Sequence, residues 1–412
     1  MSSKTTKVRD LTEDQERDRE ESRRKRQEEI NRKREDSREA LLSSQENSEK
    51  ARLASLSAKK KKNSNLSYQI MFGVLGALIV YIIAMSLLNS APPLHKVPVI
   101  ENNKIEEHNA HSDWKQGPNS IFEGATLADA KKLVTSGFSN HNNLNKCYTD
   151  DTVTPPEHFH VKDLFPKCVL GNTHFNNNST GKDCSSSYAF ALASAISERN
   201  CIVNNLEEPV ALSAQEILNC DVVNNGCKGG YLNNSLDYLR SKGLSTEACY
   251  PYNPDHVDGK CKGVCENPKK TKIDSYCLVM EEENIKREIL KNGPVVSTMH
   301  IHVDFLTYKG GIYTKGEEVA RFSGQHAIKI VGWGVETEGQ NIGTKYWIIQ
   351  NNWGSDWGED GYARIATGQE LFFDQFAYGI KVKAENTAAN GSADASKKSN
   401  DDAEVNLDLE DK

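Results

Sequence analysis

Apolar and polar positions are distributed very unevenly along the 412 residues. Residues 1–62 are almost wholly polar, whereas the stretch from Ile70 to Leu88 is uncharged and has only Tyr81 and Ser86 as polar side chains. A helix of that length rises about 28 Å, close to the thickness of the hydrocarbon layer of a bilayer. We therefore predict a transmembrane signal anchor at residues 67–89. The charged segment before it, residues 1–66, is compatible with a solvated helix and equally with disorder.

Beyond the anchor, the pattern predicts both helices and strands. Residues 188–201 place Ala189, Leu192, Ala193 and Ile196 on one face of a helix, and residues 127–133 form a second helical run. Residues 327–334 and 345–350 are rich in β-formers with glycines close by, which predicts strands. The end of the chain, residues 385–412, is rich in Ala, Asn, Ser and Asp, and we predict a disordered acidic tail.

The charges around the anchor predict its orientation. Residues 1–62 contain 19 Lys and Arg against 14 Asp and Glu, and the run from Lys59 to Lys62 directly precedes the apolar segment. Only Lys96 lies near its other end. Positive charge favours the cytosolic side of a membrane. We therefore expect a single-pass type II membrane protein, with residues 90–412 at the cell surface or in the lumen of the secretory or endolysosomal pathway.

All the cysteines lie on the predicted exported side of the anchor, and their number is even. This arrangement is typical of a disulfide framework. The alternative, a zinc site built on Cys261 and Cys265, lacks a matching second pair. The cysteines are Cys147, Cys168, Cys184, Cys201, Cys220, Cys227, Cys249, Cys261, Cys265 and Cys277. Sequons on the same side predict N-glycosylation at Asn177, Asn178, Asn233 and Asn390.

The residues that lead into the helix at 188–201 carry the most informative motif. Cys184-Ser185-Ser186-Ser187-Tyr188-Ala189-Phe190 resembles the papain family of peptidases, in which Cys-Gly-Ser-Cys-Trp-Ala-Phe begins the central helix. Further matches follow in the family's order, and together they resemble its cathepsin B-like members. They are Trp114-Lys115-Gln116-Gly117-Pro118-Asn119 in the prosegment, then Pro156-Glu157-His158-Phe159, Leu212-Ser213-Ala214-Gln215-Glu216, Cys227-Lys228-Gly229-Gly230-Tyr231, Gly324-Gln325-His326-Ala327 and Gln350-Asn351-Asn352-Trp353-Gly354.

The resemblance implies an α+β, papain-like two-domain fold behind the transmembrane helix. A helical left domain would surround the helix at 188–201, a β-barrel right domain would follow, and a cleft would separate them. A stalk and prosegment would occupy residues 90–155, and the peptidase domain residues 156–384. Cys147 and Cys277 have no counterpart in the family's mature domain; by parity they could bond each other. The implied disulfides are Cys168–Cys201, Cys184–Cys227, Cys220–Cys261 and Cys249–Cys265.

The resemblance also implies a catalytic site, with Ser187 in the nucleophile position, His326 as the base and Asn351 as the residue that orients the base. The family has a cysteine where this chain has Ser187. A serine hydroxyl has no anion near neutrality comparable to a thiolate paired with histidine. The family's oxyanion glutamine aligns with Gly181, or with Thr180 if one residue is inserted. These departures favour an inactive site.

The substrate-binding positions depart less. Gly229 and Gly230 match the strip that pairs with the substrate backbone, and Gln375 falls near the acidic residue that gives cathepsin B its preference for basic side chains. We expect a pseudopeptidase whose cleft binds peptides or proteins, among them an active protease or an inhibitor. The alternative is an active endopeptidase with Ser187 as nucleophile. No motif indicates a cofactor, a metal site or nucleic-acid binding. Without a thiolate, the segment 90–155 should stay attached and cover the cleft.

Overall fold

The structure, a computed structural model, describes residues 46–53, 76, 92–137, 144–171, 184–316, 322–339 and 341–385. They belong to two compact units, residues 1–91 and residues 92–412. In the first unit, residues 46–53 are helical, with an ion pair of 2.7 Å between Lys50 Nζ and Glu46 Oε1. The predicted anchor lies outside the described residues except for Gly76. Among the described residues, no helix is long and apolar enough to span a membrane.

The described part of the second unit is an α+β structure. The helices predicted at 127–133 and 188–201 are present, and so are the strands predicted at 327–334 and 345–350. The helices are α1 (Asn102–His111), α2 (Leu127–Leu133), α3 (Val161–Leu164), α4 (Ser187–Val203), α5 (Ala214–Cys220), α6 (Leu232–Lys242) and α7 (Glu282–Asn292). The strands are β1 (Lys115–Gln116), β2 (Phe159–His160), β3 (Ile273–Met280), β4 (Val295–Ile301), β5 (Tyr308–Gly310), β6 (Ile312–Tyr313), β7 (Gly324–Val335), β8 (Lys345–Gln350), β9 (Tyr362–Ala366) and β10 (Phe376–Val382).

Helix α4 is buried on nearly all sides and forms the centre of one hydrophobic core with α5 and α6. It carries two buried charged side chains, Glu198 and Arg199, and each is paired with an opposite charge on an element that packs against it. Lys329 Nζ on β7 lies 2.6 Å from Glu198 Oε1, and Glu288 Oε1 on α7 lies 2.9 Å from Arg199 Nη1. Because an unpaired buried charge is strongly unfavourable, these pairs fix α4 against β7 and α7.

The second core is built on a sheet of eight strands in the order β3-β10-β4-β7-β8-β9-β6, with β2 paired to one end of β7. Neighbours are antiparallel except β6 and β9. The resemblance predicted a β-barrel, but β3 and β6 are not paired with each other in the described residues, so the sheet is open. The physical reason is visible at β3. Its outer edge is occupied instead by the chain at residues 145–147, which bonds to Leu278.

Residues 92–137, which we call the amino segment, pack into this second core. Trp114 is buried, with its ring centroid 4.9 Å from that of Tyr313. Phe122 is also buried, in an edge contact at 5.2 Å with Trp353. Strand β1 of the segment pairs with β5. The amino segment is therefore part of the folded body, as far as its last described residue, Gly137.

The four disulfides implied by the resemblance are all present, together with a fifth. The bonds are Cys168–Cys201, Cys184–Cys227, Cys220–Cys261, Cys249–Cys265 and Cys147–Cys277. The fifth bond joins the chain just beyond the amino segment to β3, at a sequence separation of 130. Disulfides of this kind fit the expectation of a secreted or lumenal domain.

Candidate active site

Ser187 is the first residue of α4, so its backbone lies at the positive end of the helix dipole. The disulfide Cys184–Cys227 holds the turn that precedes it. Ser187 is 2% exposed and lines a cavity of about 20 Å³. His326 from β7 lines the same cavity, as do Ile121 and Leu133 from the amino segment. The structure therefore brings Ser187 and His326 together and covers both with residues from 92–137.

His326 and Asn351 form the hydrogen-bonded pair that the sequence predicts. Strands β7 and β8 pair with Lys329 opposite Gln350, which brings His326 and the residue after β8 to the same end of the sheet. The distance from His326 Nε2 to Asn351 Oδ1 is 2.8 Å. The amide oxygen can only accept, so the ring proton is on Nε2 and Nδ1 carries the lone pair. The ring of Trp353 covers the pair, 4.6 Å from the imidazole.

Burial makes His326 a weak base. Its side chain is fully buried, and loss of solvation lowers the pKa of His326 to about 4. The bond to Asn351 and the nearby Leu133 carbonyl act in the opposite direction but do not offset burial. Near neutrality the ring is therefore uncharged. Its Nδ1 makes no hydrogen bond to any described residue.

The hydroxyl of Ser187 is bonded elsewhere. Its Oγ lies 2.6 Å from Oγ of Ser136, which belongs to the amino segment. It also accepts a hydrogen bond of 3.2 Å from the backbone N–H of Ala327. Activation of a serine requires a hydrogen bond from its hydroxyl to the base. The described contacts of Ser187 include no hydrogen bond to His326. The Ser187 hydroxyl is bonded to the Ser136 hydroxyl instead.

The amino segment crosses the cleft as an extended strand at residues 134–137. On one side, Gln325 N donates to Val134 O at 2.9 Å, and Ser136 N donates to Gln325 O at 3.1 Å. On the other side, Gly137 N donates to Gly230 O at 3.1 Å. These main-chain bonds come from both walls of the cleft. The strip expected to pair with a peptide backbone thus pairs with the chain's own backbone.

Gly229 shows why this strip requires glycine. Its φ is +95°, which side chains rarely allow, and a Cβ there would lie 2.3 Å from Thr135 O. Thr135 Oγ1 also donates to Lys228 O at 3.0 Å. A larger residue at position 229 would therefore displace the strand from the cleft.

The predicted substrate-binding residue Gln375 and the predicted glycosylation site Asn233 are not among the residues that line the cavity at Ser187. Gln375 is exposed in the turn before β10, where its carbonyl accepts a long bond of 3.5 Å from Glu281 N. Asn233 is half-buried in the first turn of α6. Gly181, Asn177, Asn178 and Asn390 lie outside the described residues. Nowhere in the described parts of the chain do three His, Cys, Asp or Glu side chains converge so that they could hold a metal ion.

A family description of the papain family cysteine proteases matches residues 169–385, more than half of the chain. The chain belongs to the papain family. Cathepsin B-like cysteine proteinase 2 of Haemonchus contortus is 32% identical over 279 residues, which cover 58% of this chain and 78% of that protein. Human Tubulointerstitial nephritis antigen-like is 30% identical over 307 residues, 65% of this chain and 64% of that protein.

Solved structures show the same fold with its prosegment. The structure titled proCathepsin B S9 from Trypanosoma congolense has a TM-score of 0.60 and 27% identity, and the match covers 70% of this chain and all of that one. Cathepsin B-like relatives in sequence and in structure place this chain among the cathepsin B-like papain-family proteins. Sequence reasoning missed Ser136, although the small and β-branched residues after α2 are typical of an extended strand.

Proposed function

We propose that this cathepsin B-like protein is a catalytically impaired pseudopeptidase whose cleft binds extended peptides or segments of proteins without cutting them. One observation carries the proposal. The cleft holds residues 134–137 by main-chain bonds to Gln325 and Gly230, while the Ser187 hydroxyl bonds to Ser136. Backbone pairing gives affinity for an extended chain whatever its side chains. The binding elements of a papain-family cleft are thus retained around a serine.

Ser187 and Gly181 are the chemical reasons to expect an impaired site. A cysteine at the start of α4 would be favoured as a thiolate by the helix dipole and a histidinium, whereas a serine hydroxyl stays protonated. If Gly181 replaces the oxyanion glutamine, one donor is lost, which typically costs about 10²–10³ in rate. The two deficits together would leave little hydrolysis.

We propose that residues 67–89 anchor the protein as a type II membrane protein, with the described domain on the lumenal or outer side. The disulfides support that side of the membrane. The partners would then be lumenal or extracellular peptides and proteins, including an active protease or a protease inhibitor.

The second candidate function is a serine-dependent endopeptidase. The observation that favours it is the intact pair of His326 and Asn351, with the lone pair on Nδ1. A neutral imidazole is the form that can accept a proton from a serine hydroxyl. This candidate requires Ser187 to turn from Ser136 to His326 once the amino segment leaves.

A binding and cleavage assay on one sample separates the two. The lumenal part would be freed of the amino segment and incubated with a peptide library, with binding measured by retention and cleavage by mass spectrometry. We expect retained, uncut peptides. The matched control is Gly229→Val, which leaves Ser187 and His326 unchanged but obstructs the strip and should abolish retention. Cleavage that disappears in Ser187→Ala would favour the endopeptidase.

A further inference from the structure

We propose that the disulfide between Cys147 and Cys277 keeps the amino segment in the cleft after the chain has been cut, so that opening the cleft requires reduction as well as proteolysis. Release of the cut segment from the cleft would thereby depend on reduction of this disulfide. This inference rests on the proposal that the open cleft binds peptides, since it concerns the regulation of that same site.

The position of the bond is the first argument. Cys147 lies eleven residues beyond Ser136, the residue that contacts Ser187, and Cys277 lies in the middle of β3. The flanking chain pairs with the outer edge of β3: Leu278 N donates to Asn145 O at 2.8 Å, and Cys147 N donates to Leu278 O at 2.9 Å. Backbone and disulfide therefore attach the same short stretch to the body.

The neighbouring strand is shaped to accept the sulfur. Cys147 Sγ lies above Gly379 of β10, where an added Cβ would be only 2.9 Å away. Gly379 is the register partner of Cys277. The disulfide thus fits into a space that a larger residue at position 379 would fill. The absence of a side chain at Gly379 makes room for the sulfur within the sheet.

An exposed turn follows directly. Tyr148 is 93% exposed, and Asp151 and Thr152 are exposed in a turn before the body resumes at β2. A protease could cut here without breaking any of the contacts that residues 134–137 make in the cleft. Such a cut falls on the far side of Cys147 from the cleft. The amino segment would then be a separate polypeptide held by its packing and by one covalent bond.

The covalent bond prevents the cut segment from dissociating when the protein is diluted. A segment held only by packing dissociates when the protein is dilute, whereas a tethered segment rebinds at an effective concentration in the millimolar range. Tethering of this kind typically strengthens an interaction about 10²–10⁴-fold. The segment would therefore exclude competing peptides after cleavage as well as before it.

Release would proceed by thiol–disulfide exchange. The thiolate of a small thiol or of a dithiol reductase attacks one sulfur of the Cys147–Cys277 bond, forms a mixed disulfide and expels the other cysteine as a thiolate, which takes up a proton. A second thiol then resolves the mixed disulfide. Two electrons pass to the protein, Cys147 and Cys277 become thiols, and the reductant leaves as its disulfide. The amino segment can then diffuse away.

The test uses the full chain with a recognition sequence for a specific protease inserted between Asp151 and Thr152. After cutting, the native protein and the Cys147→Ser/Cys277→Ser variant are diluted to nanomolar concentration, and the retained segment is measured by size exclusion and mass spectrometry. The matched control is Cys249→Ser/Cys265→Ser, which removes a disulfide confined to the body. A second control carries the protease site at residues 139–142, on the cleft side of Cys147.

We expect the cut native protein and the Cys249→Ser/Cys265→Ser control to retain the segment and to bind a labelled peptide roughly 10²–10³-fold more weakly than the cut Cys147→Ser/Cys277→Ser variant. The protein cut at 139–142 should lose the amino segment without reductant. Equal retention by native and Cys147→Ser/Cys277→Ser proteins at the lowest concentration would overturn the inference. Measurable peptide binding that is equally strong for the two cut proteins would also overturn it.

A second measurement applies if the double variant does not fold. The cut native protein is titrated with a thiol, and mass spectrometry records which disulfide has opened when the segment leaves. Release should follow the opening of Cys147–Cys277, and release before that bond opens would refute the tether. If the segment is released as expected but no peptide binds, the proposed function fails and the tether stands.

Discussion

The burial of His326 predicts a specific loss of stability in acid. An unperturbed histidine has a pKa of 6.5, and burial lowers the pKa of His326 to about 4 in the folded protein. The unfolded chain therefore binds a proton between these two values and the folded protein does not. Stability is complete above the unfolded value and is lost as the pH falls towards the folded one. At 1.36 kcal/mol per pH unit, the loss by pH 4 is about 3 kcal/mol.

The assay is urea unfolding of residues 90–412 at several pH values between 7 and 4, for the native sequence and for His326→Gln. Other groups also titrate in this range, including His160, whose pKa burial lowers to about 4. The comparison removes their contribution, because they are common to both proteins. We expect the free energy of unfolding of the native protein to fall by about 3 kcal/mol more than that of His326→Gln. The exposed His256 provides a control, His256→Gln, which should behave like the native protein.

Parallel profiles for the native protein and His326→Gln would refute the reasoning, because they would mean that folding does not shield the imidazole. A positive result has a further consequence. Ile121 and Leu133 of the amino segment line the cavity that contains His326. Since these residues help to exclude water from the ring, protonation should weaken the packing of the segment against His326.

Three further predictions concern the amino segment and the membrane. Trp114→Ala removes a buried ring from the core and should lower the free energy of unfolding by about 3–5 kcal/mol, measured in urea; an effect below 1 kcal/mol would mean that the segment is not part of that core. Ser136→Ala leaves the Ser187 hydroxyl with one partner fewer and should cost about 1 kcal/mol in the same assay, and no change would discount that contact. On membranes, glycosidase should remove a glycan from Asn177, Asn178 or Asn233 but none from Asn65, whose sequon precedes the predicted anchor; digestion of the C-terminus in intact microsomes would contradict the type II orientation.

Local sequence patterns predicted the elements that carry their own signal. The period of Ala189, Leu192 and Ile196 identified α4, and the β-rich runs identified β7 and β8. The resemblance supplied the pairing of His326 with Asn351 and four disulfides, and parity suggested the fifth. These features depend on local periodicity, on short motifs or on the number of cysteines.

Contacts between distant parts of the chain could not be predicted in the same way. The bond between Ser136 and Ser187 spans 51 residues and depends on how residues 134–137 lie between the two walls of the cleft. The open edge of the sheet is another case. Whether β3 closes a barrel or pairs with residues 145–147 depends on which segment reaches its edge. The pattern of apolar and polar residues does not indicate which segment that is. Tertiary packing decides both.

The central claim, that Ser187 is not a working nucleophile in a cleft that still binds peptides, can be tested most directly by covalent labelling. Residues 90–412, freed of the amino segment, would be treated with a fluorophosphonate, which reacts with activated serines, and with E-64, which reacts with the thiolate of papain-family enzymes. Intact mass and peptide mapping would locate any adduct. We predict no adduct on the native protein and an E-64 adduct at position 187 in Ser187→Cys. A fluorophosphonate adduct on native Ser187 that disappears in His326→Gln would contradict the account.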